Sequence, residues 1–142
     1  MTVAIQVTFD AADPGALAAF WAEVLGYVAD PPPEGFASWE DWAREMEIPE
    51  ENWNDASGIS DPDGNGSRIF FQRVPEGKTA KNRVHLDVRA APGLEPEARR
   101  RRLSEEAIRL TGLGATKLYE FEERGQFWIT MQDPEGNEFC LD

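Results

Sequence analysis

The sequence predicts an α+β protein built from a duplicated unit of one strand, one helix and three strands. The segments TVAIQVTFDA and VHLDV both alternate apolar with polar residues, which is the pattern of a half-buried strand. Each segment is followed by a helical pattern and then by further strand patterns. The turn sequence DPDGN at residues 61–65 returns as DPEGN at residues 133–137. A repeated turn within a repeated element order indicates an internal duplication.

The length of the chain suits one domain made of two halves. Its 142 residues, of which 41% are hydrophobic, suffice to bury a core. We therefore expect a single domain over residues 1–142, with module one at about 1–76 and module two at about 82–142.

Composition excludes several classes of partner. The chain has 27 acidic and 14 basic residues, and its formal charge of -13 would repel a phosphate backbone, so we expect no nucleic-acid partner. No segment is apolar enough for a membrane helix, and the N-terminus lacks the pattern of a signal peptide, so we expect a cytoplasmic protein without a membrane partner. The single cysteine, Cys140, excludes an internal disulfide framework.

The first half has well-marked element boundaries. One face of its first strand carries Val3, Ile5, Val7 and Phe9. Asp13 and Pro14 form a helix start, and Gly26 ends that helix. Ser38 caps a short inserted helix that contains Trp39 and Trp42. SGISDPDGNGSRIFFQRV then predicts two strands around a turn.

The second half repeats this order. Val84, Leu86 and Val88 share one face of its first strand, and the opposite face carries Arg83, His85, Asp87 and Arg89. A helix is predicted from about Pro96 to Leu110, with Leu103, Ala107 and Leu110 on its apolar side. The segments ATKLYEF, QFWITMQ and NEFCLD predict the last three strands.

Three segments carry a family resemblance: FDAADPGALAAFWAEVLGY, RIFFQRVPEGKTAKNRVHLDV and MQDPEGNEFCLD. They resemble the glyoxalase-like branch of the vicinal oxygen chelate superfamily, which also holds glyoxalase I, extradiol dioxygenases and bleomycin resistance proteins. The resemblance implies two βαβββ modules whose sheets curl around a cleft, often a dimer, and, in the enzymes, a divalent metal held by four strand residues. Because this superfamily hosts many chemistries, the fold does not assign a reaction.

The metal positions implied by the resemblance are incompletely filled. The first ligand position, seven residues before Asp13, is Gln6, and its counterpart on VHLDV is His85. The last position, seven residues beyond Asp133, is Cys140 where the family usually has Glu. The strand after DPDGN offers only Arg68, Phe70 and Gln72 on one face. We therefore expect no complete metal site.

Alternatives to this expectation stay open. If a metal binds, its ligands are expected to be Gln6, His85 and Cys140, because a thiolate beside an imidazole suits zinc. A register slip of two would instead bring Glu138 or Asp142 to the last position. A small buried apolar role for Cys140 is favoured over both. Gln6 and His85 are then expected to face each other across the cleft as a hydrogen-bonded pair.

Alternation also predicts the lining of a ligand site. The side chains expected to point inward are Gln6, Thr8, Phe70, Gln72, His85, Asp87 and Trp128. This mixed aromatic and polar lining suits a planar ligand. Trp39, Trp42 and Trp53 would either close over that ligand or seal a core, and helical spacing favours the core. Lys78, Lys81 and Arg83 form a basic cluster that is more typical of a solvated hairpin than of an anion site.

Two functions from different classes agree with these residues. The missing carboxylate favours a protein that binds a small aromatic or carbonyl-containing molecule without chemistry. The alternative is a lyase or dioxygenase-like enzyme that uses His85 as an acid or base, with or without a divalent metal. In either case we expect a homodimer with a small-molecule partner.

Overall fold

Two units make up the chain, and each has the order strand, helix and three strands. The computed structural model describes residues 1–142. The units are Met1–Gly77 and Lys78–Asp142. Each contains one four-stranded mixed sheet, so the predicted α+β class and the duplicated βαβββ order are confirmed. None of the helices combines the length and the apolar character needed to cross a bilayer.

The first unit inserts a short helix between its second and third strands. Its elements are β1 (Val7–Ala11), α1 (Pro14–Leu25), β2 (Val28–Ala29), α2 (Trp39–Glu45), a 3₁₀ helix (Glu50–Asn52), β3 (Ala56–Ser60) and β4 (Ile69–Arg73). The sheet order is β1-β4-β3-β2, with β1 and β4 parallel and the other pairs antiparallel.

Residues at both ends of α1 define its length. The Asp13 carboxylate accepts a hydrogen bond from the Ala16 N–H at 3.1 Å, which satisfies one of the free donors of the first turn. Gly26 ends the helix in the left-handed region at φ 69°, where glycine carries no steric penalty. The Asn54 side chain donates to Asp13 at 2.7 Å and accepts from the Gly15 N–H at 2.8 Å. Asn54 thereby ties the helix start to the segment that leads into β3.

Aromatic side chains form the core of the first unit. The Phe9 ring packs edge-on against Trp21 and Phe71, with centroid distances of 5.2 and 5.3 Å. Trp21 and Phe71 are fully buried, as is Leu17 on the same helix. This packing covers one face of the sheet with α1 and leaves the opposite face without a covering helix.

The second unit has the same order without an insertion. Its elements are β5 (Leu86–Val88), α3 (Pro96–Gly112), β6 (Thr116–Glu123), β7 (Gln126–Gln132) and β8 (Glu138–Leu141). The sheet order is β5-β8-β7-β6. The strands β5 and β8 are parallel, as β1 and β4 are in the first unit. The predicted apolar side of α3 is confirmed, since Leu103, Ala107 and Leu110 are all buried.

The repeated turn has the same construction in both units. Asp61 accepts hydrogen bonds from the backbone N–H groups of Asp63, Asn65 and Gly66. Asp133 accepts from those of Glu135 and Asn137. An aspartate at the first position of each turn therefore satisfies the backbone donors that follow it.

The first strands are shorter than their alternation suggests. β1 begins at Val7, because Val7 is the first residue that pairs with β4. Val3, Ile5 and Val84 consequently lie outside the sheets and are 85%, 72% and 80% exposed, where alternation places them on buried faces. The strand β2 has only two residues and therefore no alternation from which the sequence could predict it.

Replacing Asp13 with alanine should destabilise the first unit. The change removes both the helix cap and the acceptor for Asn54, so we expect a loss of about 1–2 kcal/mol in the free energy of unfolding. Urea denaturation followed by circular dichroism measures this loss. Glu34→Ala, which removes an exposed carboxylate outside the helices, serves as the control. Equal stability of the two variants would contradict the capping role.

Candidate functional site

The open face of the first sheet carries polar side chains along β1 and β4. Thr8 and Asp10 on β1 lie opposite Phe70 and Gln72 on β4. The Gln72 amide donates a hydrogen bond to Asp10 at 2.9 Å. Thr8, Phe70 and Gln72 therefore share one face, as predicted, but the Gln72 side chain is engaged by Asp10.

An ion pair formed by Arg68 and Asp30 lies on this open face, where the Arg68 side chain is 41% exposed and that of Asp30 is mostly buried. The Arg68 guanidinium donates through Nε and Nη2 to the Asp30 carboxylate, at 2.7 Å in both cases. Its Nη1 donates to Oε1 of Gln6 at 3.0 Å, and its carbon lies 5.3 Å from the centre of the Phe70 ring. The amide oxygen of Gln6 thus already accepts a hydrogen bond from a permanent cation.

Gly58 on β3 makes room for this ion pair. A Cβ at this position would lie 2.3 Å from Oδ2 of Asp30 and 2.5 Å from Nη2 of Arg68. Both distances are far below van der Waals contact. Any other residue at position 58 would therefore displace the ion pair from the sheet surface.

Beside the ion pair lies a cavity of about 610 Å³, which we call the tryptophan cavity. Its aromatic walls are Trp39, Trp42, Trp53 and Phe70. The Trp39 and Trp42 rings meet edge to face at 5.5 Å, and Trp39 is 44% exposed. The three inserted tryptophans therefore line a cavity, where their helical spacing favoured a sealed core.

Hydrogen bonds orient two of these indoles. The Trp39 indole N–H donates to the Asp30 carbonyl oxygen at 2.9 Å, and that of Trp53 donates to the Ile48 carbonyl oxygen at 2.9 Å. With their polar atoms satisfied, the rings present apolar faces to the cavity. Besides the Asp30–Arg68 pair, the charged groups of the lining are the carboxylates of Glu40 and Asp55.

The second unit brings a different set of groups to its open face. Asp87 on β5 pairs in register with Cys140 on β8, and His85 precedes Asp87 by two residues. His85 Nε2 lies 3.3 Å from Oδ1 of Asp87. One nitrogen, one oxygen and one sulfur atom from these three side chains lie within 4.8 Å of one another.

The environment of Cys140 favours the neutral thiol. Burial raises its pKa, the Thr130 hydroxyl at 3.6 Å acts in the opposite direction, and the negative charges of Asp87 and Asp142 raise the pKa further. Cys140 is half-buried rather than fully buried. In the absence of a cation, the thiol is therefore a poor nucleophile at neutral pH.

Both carboxylates that flank Cys140 on its face of β8 are already paired. Glu138 forms an ion pair with Lys78 at 3.1 Å and accepts a hydrogen bond from the Asn82 N–H at 3.0 Å. Asp142 is paired with Arg99. Lys78, from the predicted basic cluster, is thus engaged within its own unit.

A second cavity of about 660 Å³ lies over these groups, and we call it the histidine cavity. Its lining includes His85, Asp87, Cys140 and Trp128. The Trp128 ring stacks on Phe121 with 4.7 Å between ring centres. His85, Asp87 and Trp128 therefore line one cavity of the second unit. Gln6 and Phe70 belong to the first unit, and their approach to His85 across a cleft stays a prediction.

Strand pairing identifies equivalent positions in the two units. The parallel ladders start with the pairs Val7–Ile69 and Leu86–Phe139. By this register Gln6 corresponds to His85, and Phe70 corresponds to Cys140. The four implied metal positions are thus Gln6, Phe70, His85 and Cys140. Because Phe70 cannot ligate a metal and Gln6 is held by Arg68, this four-residue set does not fit a divalent cation.

No sequence motif marks Asp30, which follows β2, and its pairing with Arg68 is evident only in the structure. Alternation places Arg68 on the face that it occupies, as a position that offers no carboxylate. Arg68 directly precedes the apolar residues of β4, and its counter-charge lies 38 residues earlier in the chain, so no local pattern predicts the pairing.

Comparisons with known proteins agree with this architecture. The sequence profile described as Glyoxalase-like domain matches residues 6–141. No curated protein sequence matches the chain significantly.

Solved structures share the fold at low sequence identity. A glyoxalase/bleomycin resistance protein/dioxygenase family enzyme from Burkholderia phytofirmans PsJN has a TM-score of 0.59 at 18% identity and covers 96% of this chain and 94% of its own. The fosfomycin resistance protein FosX from Mesorhizobium loti has a TM-score of 0.62 at 11% identity, with coverages of 99% and 90%. The bleomycin-binding protein from Streptomyces verticillus, complexed with copper(II)-bleomycin, has a TM-score of 0.54 at 17% identity, with coverages of 99% and 95%.

Glu138→Gln should destabilise the second unit in a pH-dependent way. Burial alone would raise the pKa of Glu138, but the hydrogen bonds from Asn82 and Lys78 outweigh it and lower the pKa. A lowered folded-state pKa contributes stability above the unfolded-state pKa, and this stability is lost as the pH falls through the folded-state value. We expect the variant to be less stable by about 1 kcal/mol at pH 7 and to match the wild type in strong acid.

Urea denaturation at pH 7 and at successively lower pH values measures this difference. Glu105→Gln, an exposed carboxylate on α3, serves as the control and should show no such trend. A stability difference for Glu138→Gln that stays constant with pH would rule out the ionic contribution.

Proposed function

Because the chain belongs to the glyoxalase-like domain family, we propose that it binds a small planar aromatic molecule, and that the tryptophan cavity is the binding site. The observation that carries this proposal is the aromatic wall of Trp39, Trp42, Trp53 and Phe70 around about 610 Å³. Cavities of this size, mostly apolar with a few oriented polar groups, are typical of small-molecule sites. The bleomycin-binding neighbour is a precedent for binding within this fold.

Charge favours a neutral or cationic ligand over an anion. The Arg68 guanidinium is neutralised by Asp30, so it offers no free positive charge. Glu40 adds negative charge to the lining, within a chain of net charge -13, whereas the Asp55 carboxylate lies 3.8 Å from the Arg73 guanidinium. Tryptophan ring faces also attract cations, as the guanidinium of Arg44 at 5.1 Å from the Trp53 ring illustrates. An aromatic anion would be repelled by the negative charge of the lining and by the faces of the tryptophan rings.

Binding to this cavity is testable with two planar tricyclic probes of opposite charge. We expect proflavine, a cation, to bind with one site per chain in isothermal titration calorimetry. Anthraquinone-2-sulfonate, an anion, should bind at least about 10-fold more weakly. Trp42→Ala should weaken proflavine binding by about 10-fold or more, because it removes one aromatic wall. Trp128→Leu, in the second unit, should leave binding unchanged.

The same titration locates the site that a second candidate function requires. The His85–Asp87 contact of 3.3 Å supports an enzyme, lyase or dioxygenase-like, that uses His85 as an acid or base over the histidine cavity. Loss of binding in His85→Ala and Trp128→Leu, with full binding in Trp42→Ala, would overturn the first proposal and place ligand binding in the histidine cavity. Circular dichroism of each variant checks that the fold is retained.

We also propose that the two units form one domain and that the protein acts in the cytoplasm.

We further propose that the protein is a homodimer. Support for a dimer comes from β6, an edge strand on which Leu118, Tyr119 and Phe121 are exposed. Sedimentation at micromolar concentration should give about twice the 15.9 kDa chain mass. A Phe121→Glu variant should shift the protein to the monomer. Sedimentation of the wild type at 15.9 kDa alone would contradict the dimer.

A further inference from the structure

The open face of the second sheet carries three different donor groups, one each on β5 and β8 and one directly before β5. Asp87 and Cys140 face each other across the β5–β8 ladder, and His85 lies on the same side, 3.3 Å from Asp87. Their nitrogen, oxygen and sulfur atoms all lie within 4.8 Å of one another. We propose that His85, Asp87 and Cys140 form a three-ligand site for a zinc-type divalent cation, a property independent of ligand binding in the tryptophan cavity.

The geometry needs only side-chain adjustment to accept the cation. Tetrahedral zinc with bonds of about 2.0–2.3 Å places neighbouring ligand atoms about 3.5 Å apart. His85 and Asp87 already meet this spacing, and their half-exposed side chains are free to rotate. Cys140 is held by a paired strand, so the thiol provides the fixed point toward which the other two groups move.

The charge and chemistry of the set select the metal. An ionised thiolate and a carboxylate together balance the charge of a divalent cation, and the imidazole adds a neutral donor. Sulfur and imidazole nitrogen suit zinc and cobalt, whereas magnesium, calcium and manganese prefer sets made of oxygen atoms. The site should therefore discriminate against the hard cations.

Neighbouring groups limit the set to three ligands. Glu138 and Asp142 lie on the same face of β8, but they are paired with Lys78 and Arg99. Three protein ligands leave one coordination position toward the histidine cavity, an arrangement typical of a zinc site that is open to a water or a small molecule.

This set differs from the four positions that the family resemblance implies. Asp87 replaces the contribution of the first unit, since Gln6 is engaged by Arg68 and the fourth position is Phe70. All three ligands therefore belong to one unit. The difference makes the two assignments separable, because Gln6 contributes only to the implied set.

Titration of the purified protein with Co²⁺ alone tests this site. We expect one cobalt per chain, a sulfur-to-cobalt charge-transfer band in the near ultraviolet, visible bands of tetrahedral intensity, and displacement by one equivalent of zinc. A large excess of magnesium or manganese should not compete. Cys140→Ser should abolish the charge-transfer band, and His85→Ala and Asp87→Asn should each weaken cobalt binding by at least about 10-fold.

Two control variants complete the experiment. Gln126→Ala, which changes the histidine cavity without removing a donor, should bind cobalt as the wild type does. Gln6→Ala should also do so. Loss of cobalt in Gln6→Ala, an unchanged affinity in Asp87→Asn, or the absence of a sulfur charge-transfer band in the wild type would each overturn the three-ligand assignment. Proflavine titration of Cys140→Ser reports separately on the tryptophan cavity.

Discussion

One helix covers one face of each four-stranded sheet, and this constraint determines where a site is able to form. In the first unit α1 packs on the face of Phe71, and in the second unit α3 packs on that of Met131, with both residues fully buried. Residues that alternate with them point to the other face. Polar and ionisable groups collect there because no helix removes them from water. Thr8, Gln72 and Asp87 on the strands follow from this rule, whereas Asp30 and the inserted tryptophans reach the cavity of the first unit from outside the strands.

The duplicated sheets use the same positions for opposite chemistry. By the register of the parallel ladders, Arg68 corresponds to Glu138 and Phe70 corresponds to Cys140. The first unit therefore places a permanent cation and an aromatic ring where the second unit places a carboxylate and a thiol. A cation held on the first sheet excludes a metal from that surface, whereas the second sheet presents donors that attract one.

The inserted segment between β2 and β3 gives the first unit its distinct cavity. Trp39 and Trp53 donate their indole N–H groups to backbone carbonyl oxygens, and their rings line the space beside Phe70 together with that of Trp42. Asp30, at the end of β2, orients Trp39 through its carbonyl and Arg68 through its carboxylate. Asp30 thus links the aromatic wall to the ion pair, and Gly58 leaves the space that the ion pair occupies.

The sequence by itself determined the α+β class, the duplicated order, the caps of α1 at Asp13 and Gly26, and the faces that carry Thr8, Phe70 and Asp87, because caps and alternation depend on local geometry. Only the tertiary structure decided that β1 starts at Val7, since a strand extends only as far as its partner does. The tertiary structure also decided that Asp30 pairs with Arg68, 38 residues away, and that Cys140 lies opposite Asp87 in the β5–β8 ladder. Contacts between distant residues depend on strand register and chain closure, which no local pattern records.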